Sequence, residues 1–140
     1  HEAGHWKKKH IVKMLIAVET ISFISIYISY KILQTDFLTD IFHVSVDTFF
    51  AKIVILGFIG SIISFPFIPL NSYISRRFEK EADRFSCTLT GKKEAMASSL
   101  VKLSKDNLAN LHPHPLYATF YYSHPPIVQR IRDIQKMSLK

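Results

Sequence analysis

Two long apolar stretches limit what this chain can fold into. Residues 11–33 read IVKMLIAVETISFISIYISYKIL and residues 50–70 read FAKIVILGFIGSIISFPFIPL. At 1.5 Å per residue, about twenty helical residues cover the ~30 Å hydrocarbon core of a bilayer, so each stretch is long enough to span one. From residue 53 to residue 70 no charged residue occurs over eighteen positions, the clearest such signal in the chain. Lys13 and Lys31 lie near the ends of the first stretch, where long stems can snorkel. Glu19 is costly against lipid, so it should line a polar cavity or sit near the interface of a tilted helix. In the second stretch Gly57 and Gly60 would thin one face for close packing. Pro66 and Pro69 would bend or end that span. A buried hairpin of a soluble domain is the competing reading. Two such stretches in 140 residues argue against it.

Charge then orients the spans. The net charge is +7. Lys7, Lys8 and Lys9 precede the first stretch, and Arg76 and Arg77 follow the second. Residues 34–49 hold Asp36, Asp40 and Asp47 and no Lys or Arg. The positive-inside rule places both flanks in the cytoplasm and the 34–49 loop in the lumen. Two spans return the chain to the side it left, so residues 71–140 can meet residues 1–10. Residues 71–140 carry twelve Lys/Arg against six Asp/Glu, which fits a cytoplasmic face beside membrane lipid. No basic helix with base-reading groups and no stacking motif is present, so nucleic acid is not an expected partner.

The opening HEAGH carries the chemistry. On a helix His1 and His5 lie one turn apart on one face, with Glu2 about 100° round. Two neutral imidazoles can bind Zn²⁺, and a nearby carboxylate that does not ligate can take a proton from a zinc-bound water. A bare pair of histidines four apart means little, and His-Glu-x-x-His is more specific because it adds the base. The bland alternative is a surface helix with its histidines in water. Residues 1–10 are expected to continue as one helix, with His10 a polar end residue and no ligand. The chain begins inside this motif, so it is expected to be the C-terminal part of a longer protein whose missing N-terminal part holds further spans.

A two-histidine zinc site needs a third protein ligand. Residues 71–90 look helical, with Phe78, Ala82, Phe85 and Leu89 as the default core stripe and Gly91 as C-cap. Glu79 and Asp83 share a face of that helix. One can ligate while the other hydrogen-bonds the far nitrogen of a zinc histidine, unless the run is simply a solvated charged face. Glu81 should point to solvent or to Arg84. The single Cys87 excludes an intramolecular disulfide and a cysteine-based zinc site, and reads as a small semi-buried side chain. Residues 92–111 read as an amphipathic helix with Ala95, Leu100, Leu103 and Leu108 packed. Asp106 and Asn107 should cap it or order a loop. His43, His112 and His114 read as surface histidines. Residues 126–140 form a last helix with Ile127, Ile131 and Ile134 inward.

HEAGHWKKKH, two apolar spans, RRFEKEADRFS and LVKLSKDNLANLHPHPLYATFYYSHPPIVQRI occur in the order and at about the spacing found in the type 1 CAAX prenyl endopeptidases, which this chain resembles over nearly all its length. The resemblance implies an all-α, polytopic membrane helix bundle. It implies a multi-pass zinc protease of the endoplasmic reticulum or inner nuclear membrane, with prenylated CAAX proteins as substrates and removal of their C-terminal tripeptide. Residues 1–140 would be the C-terminal part of the peptidase domain. The resemblance also implies that His1, His5 and Glu79 ligate one Zn²⁺ and that Glu2 is the general base. Asp83 would partner a ligand or give a proton. His124, in SHPP, would bind the substrate backbone or the developing oxyanion. Arg130, six residues on, would order that loop or meet substrate, unless it is merely a basic residue of the last helix. A membrane quality-control zinc protease of the heat-shock type shares HExxH and ExxxD but lacks the SHPP segment. A catalytically inactive membrane scaffold is the alternative from another class.

Overall fold

The computed structural model describes residues 1–43 and 48–138. Among the described residues every regular element is helical, as expected: α1 (Glu2–Lys7), α2 (His10–Leu33), α3 (Phe37–Ile41), α4 (Phe49–Ser64), α5 (Phe67–Thr90), α6 (Lys93–Asp106), α7 (Pro115–Tyr121) and α8 (Ile127–Lys136). They fall into two compact units. One joins residues 1–11 to the chain from Ile68 onward, and the other is Val12–Phe67.

In the second unit, α2 is long and apolar enough to cross a membrane. Its side chains, Glu19 included, are almost all exposed. The 50–70 span is not one helix. α4 ends at Ser64 and α5 begins at Phe67, so a second crossing exists only if the two count as one broken span. Pro66 accounts for the break, because it lacks the N–H that a continuing helix would use. Pro69 sits inside α5 without harm, since the first four N–H groups of a helix have no partner within it. The 34–49 segment is not all loop. Leu38 and Thr39 of α3 are buried, and the Lys52 ammonium on α4 reaches Asp36 Oδ1 at 2.8 Å. His43 is exposed, as expected, and Asp47 lies outside the described residues.

The first unit has a small apolar core of Cys87, Leu100 and Ile134, with Met96, Ile127, Ile131 and Met137 against it. Cys87 is fully buried there, deeper than its sequence context indicates. The expected apolar stripes hold only in part. Leu89 is 68% exposed and Leu108 is 92% exposed, and Leu103 and Ala95 also face out. Ala82 is buried as expected, and beside it α5 buries Ser72, Glu79, Asp83 and Cys87, a largely polar face. Gly91 ends α5 as foreseen, with φ +67, a conformation in which a side chain would be strained. Asn107 closes α6, its amide nitrogen donating to the Leu103 carbonyl at 3.0 Å.

The motif helix also departs from expectation. Residues 1–10 are not continuous: α1 stops at Lys7, and Lys9 takes φ +53 before α2 starts at His10. A left-handed lysine costs roughly 1–2 kcal/mol. The turn it makes returns His10 to the side of α1 that faces α5.

Candidate metal centre

α1 lies against α5 at one point of close approach. Gly4 is buried, and a Cβ placed on it would come within 2.9 Å of Ala82 Cα and 3.1 Å of the Ala82 carbonyl oxygen. Hydrogen at position 4 and a methyl at position 82 therefore set the separation of the helices that carry the candidate ligands.

Across this contact three groups converge. His1 Nε2 and His5 Nε2 are 3.2 Å apart. Glu79 Oε2 lies 3.3 Å from His1 Nε2, and Glu79 Oε1 lies 3.2 Å from His5 Nε2. Four ligands at bond lengths of about 2.0–2.2 Å in a tetrahedron stand about 3.3–3.6 Å from one another. The separation of the two imidazole nitrogens is close to that edge, and each has a Glu79 oxygen at a similar distance. Glu79 Oε2 is buried without a hydrogen-bond donor, as an oxygen reserved for a cation would be. Two imidazole nitrogens and a carboxylate suit a borderline metal ion. The residues present fit the group.

Asp83, one turn beyond Glu79, approaches from behind. Its Oδ1 is 2.8 Å from His1 Nδ1, although the ring N–H is not aligned on it as a hydrogen bond. Arg130 of α8 grips the same carboxylate with two charge-assisted bonds, Nε to Oδ2 at 2.8 Å and Nη2 to Oδ1 at 2.7 Å. Its Nη1 stands 3.5 Å from Glu79 Oε2. Arg130 is thus buried among the two acids, with its fork occupied by Asp83. In the metal-free protein the Asp83 and Glu79 contacts raise the His1 pKa to about 9, with burial opposing them. Burial pushes the Asp83 carboxyl up, but His1 and Arg130 outweigh it and hold it below the usual range. Glu79 is likewise lowered against its burial, by His1, His124 and Arg130.

His124 reaches the same place from a distant part of the chain. Its Nε2 lies 3.4 Å from Glu79 Oε1, while Ser123 Oγ pairs with its Nδ1 at 2.9 Å. Arg76 of α5 holds the approach to this loop by donating Nη1 to the carbonyls of Ala118, Thr119 and Tyr122 at 3.1, 3.1 and 2.7 Å. Ser72 donates to the Phe120 carbonyl at 2.8 Å. The Ala118 carbonyl also takes the Tyr122 N–H at 3.2 Å, and the other bonds satisfy carbonyls near the end of α7, where the helix supplies no further donors. Glu2 is exposed beside the centre, and among the described residues no hydrogen bond or ion pair holds it. His112 and His114 are exposed and outside the cluster of His1, His5 and Glu79.

Two expectations are corrected. Glu81 turns neither to open solvent nor to Arg84: it meets Arg77 Nε and His10 Nε2, each at 3.3 Å. His10 is not a polar end residue, being 1% exposed and stacked on Phe78 with ring centroids 4.2 Å apart. Nothing in the apolar pattern flags it. On an unbroken helix His10 would lie about 140° round from His5.

Fold and site together describe a helical protein in which two histidines and a glutamate cluster closely enough to hold a metal ion, the donor set of a metallopeptidase. Residues 1–138 match peptidase family M48, and the chain belongs to that family. The CAAX prenyl protease 1 homolog of Arabidopsis thaliana is 36% identical, over 96% of this chain and 31% of that protein. The CAAX prenyl protease 1 homolog of Homo sapiens is 34% identical, over 98% of this chain and 29% of that protein. The uncharacterized metalloprotease YhfN of Bacillus subtilis is 30% identical, over 97% and 32%. The crystal structure of S. mikatae Ste24p superposes with a TM-score of 0.80 at 25% identity, covering 96% of this chain and 34% of that one. The chain therefore spans about a third of the length of these relatives.

Proposed function

We propose that this chain is the C-terminal catalytic part of a membrane-embedded zinc endopeptidase that removes the C-terminal tripeptide from prenylated CAAX proteins. The convergence of His1, His5 and Glu79, backed by Asp83, is the observation that carries this reading. The names of the relatives supply the substrate class. His1, His5 and Glu79 would hold one Zn²⁺, which supplies Lewis-acid polarisation of a carbonyl and a water of lowered pKa. Glu2, exposed and unpaired, takes the proton of the attacking water and can return it to the leaving amine. Asp83, held by Arg130, fixes the His1 ring. His124 offers an N–H toward the oxygen that gains charge in the tetrahedral state.

A lipid-modified substrate accounts for a site joined to apolar helices, since burying a prenyl chain is worth about 0.8 kcal/mol per CH₂. The proposed location is the endoplasmic reticulum membrane, with inner nuclear membrane as its continuation. Residues 1–9 and 71–140 are proposed to be cytoplasmic and residues 34–49 lumenal. A glycosylation acceptor placed in the 34–49 loop of the full-length protein should be modified, and modification of one placed after Gly91 instead would reverse the topology. The activity is tested on purified full-length protein with a farnesylated CAAX peptide. Release of the tripeptide should stop with a chelator and with Glu2→Ala, while Glu2→Ala keeps its zinc. Cleavage that survives Glu2→Ala would end the proposal.

A further inference from the structure

His10 lies behind the candidate metal ligand His5, and its contacts form a chain. His5 Nδ1 and His10 Nδ1 are 3.2 Å apart, His10 Nε2 and Glu81 Oε2 are 3.3 Å apart, and Arg77 Nε reaches Glu81 Oε1 at 3.3 Å. The proton inventory of these three contacts has one solution once His5 ligates through Nε2. If His5 ligates through Nε2, the nitrogen that faces His1 and Glu79, its proton sits on Nδ1 and that N–H must donate. His10 Nδ1 must then accept, so His10 carries its own proton on Nε2. That proton points at Glu81, a carboxylate that can only accept. Glu81 is in turn fixed by the Arg77 guanidinium.

The His10 ring has no freedom to do otherwise, because it is buried and lies flat on Phe78, 7° from parallel. The left-handed Lys9 delivers it there, so local backbone strain is spent on placing this ring. A metal-binding histidine commonly donates its other N–H to a carboxylate or carbonyl, which fixes its tautomer and raises its basicity. Here a second imidazole is inserted between ligand and carboxylate. Resting on the ligand set proposed above, we propose that His10 is a positioning residue that holds His5 in its ligating tautomer and orientation, through the line His5–His10–Glu81–Arg77.

The test compares two substitutions in the full-length protein by zinc affinity against a competing chelator, and by the visible absorption of the cobalt-substituted form. His10→Phe keeps the stack on Phe78 but cannot accept from His5. His10→Asn places an amide oxygen about where Nδ1 stands and can accept. Zinc affinity should fall about 10–100-fold in His10→Phe and recover most of that loss in His10→Asn. The cobalt bands should shift in the first variant and return in the second. Glu81→Ala, at a half-exposed position, should weaken zinc several-fold, and serves if His10→Phe does not fold. Wild-type zinc affinity in any folded His10→Phe or Glu81→Ala variant overturns the proposal. So does equal weakening by Phe and Asn, which would make His10 packing alone. Glu79→Ala is the separate control. If it binds zinc like the wild type, the ligand set fails, and the role of His10 falls with it.

Discussion

Replacing Gly4 by Ala should loosen the metal centre without touching any proposed ligand. The added methyl would meet Ala82 Cα at 2.9 Å and the Ala82 carbonyl oxygen at 3.1 Å. Carbon atoms rest about 3.5–4.0 Å apart, so α1 must retreat from α5 by about 0.6 Å. The obstructing atoms are helix backbone and cannot turn aside as a rotamer would. His1 and His5 ride on α1 and Glu79 on α5, so the retreat widens the 3.2–3.3 Å spacings that suit one metal ion. Overpacking of this kind costs about 1–3 kcal/mol. Read out in binding, that is a zinc affinity lowered about 10–100-fold. Alanine would by itself favour a helix interior over glycine by about 1 kcal/mol, so a net loss isolates the contact. The assay is chelator competition on full-length Gly4→Ala, with Ala3→Ser at an exposed position as control. Unchanged zinc affinity in Gly4→Ala, with a melting temperature at or above wild type, would refute the argument.

Three further outcomes follow from the same geometry. His124→Ala should lower kcat by about 10²–10³-fold with zinc content unchanged, while His112→Ala stays near wild type; loss of zinc in the first would make His124 a ligand. Arg130→Met takes the guanidinium from buried Asp83 and leaves it His1 alone, so it should cost up to about 3–5 kcal/mol in denaturant unfolding, and a loss below about 1 kcal/mol would contradict the described clamp. Because His1 sits at about 9 in the metal-free protein, its charged form stabilises that state fully below its unpaired value near 6.5, and the contribution is lost as pH rises through 9. Zinc must displace that proton, so titration calorimetry at pH 7 in buffers of different ionisation enthalpy should show about one proton released from His1, and affinity should rise between pH 7 and 9. A pH-independent affinity would exclude this coupling.

The parts of the site legible in the sequence are those set by one helical period. His1 with His5, and Glu79 with Asp83, are each four apart, and the structure brings all four together. His124 is placed by resemblance and not by any local pattern, because the chain before it is held through backbone carbonyls by Arg76 and Ser72, more than forty residues earlier. His10 escapes the periodicity because the helix breaks at Lys8–Lys9 and resets its phase. Of the apolar stripe on 71–90, Ala82 is buried and Phe78 and Phe85 are half-buried, and only Leu89 departs. α5 turns its polar face inward to form the centre, so Leu89 is left outside while Glu79 and Asp83 are buried. Lys52 and Asp36, sixteen residues apart, form an ion pair that neither charge pattern nor hydropathy indicated.

The central claim is that two imidazoles of α1 and one carboxylate of α5 hold a single zinc ion. Anomalous diffraction at the zinc edge from crystals of the full-length protein tests it most directly. The account predicts one peak, with His1 Nε2, His5 Nε2 and a Glu79 oxygen at about 2.0–2.2 Å and Asp83 outside bonding distance. A peak ligated by Glu81 or His10 in place of Glu79, or no peak in protein that cleaves its substrate, would contradict it.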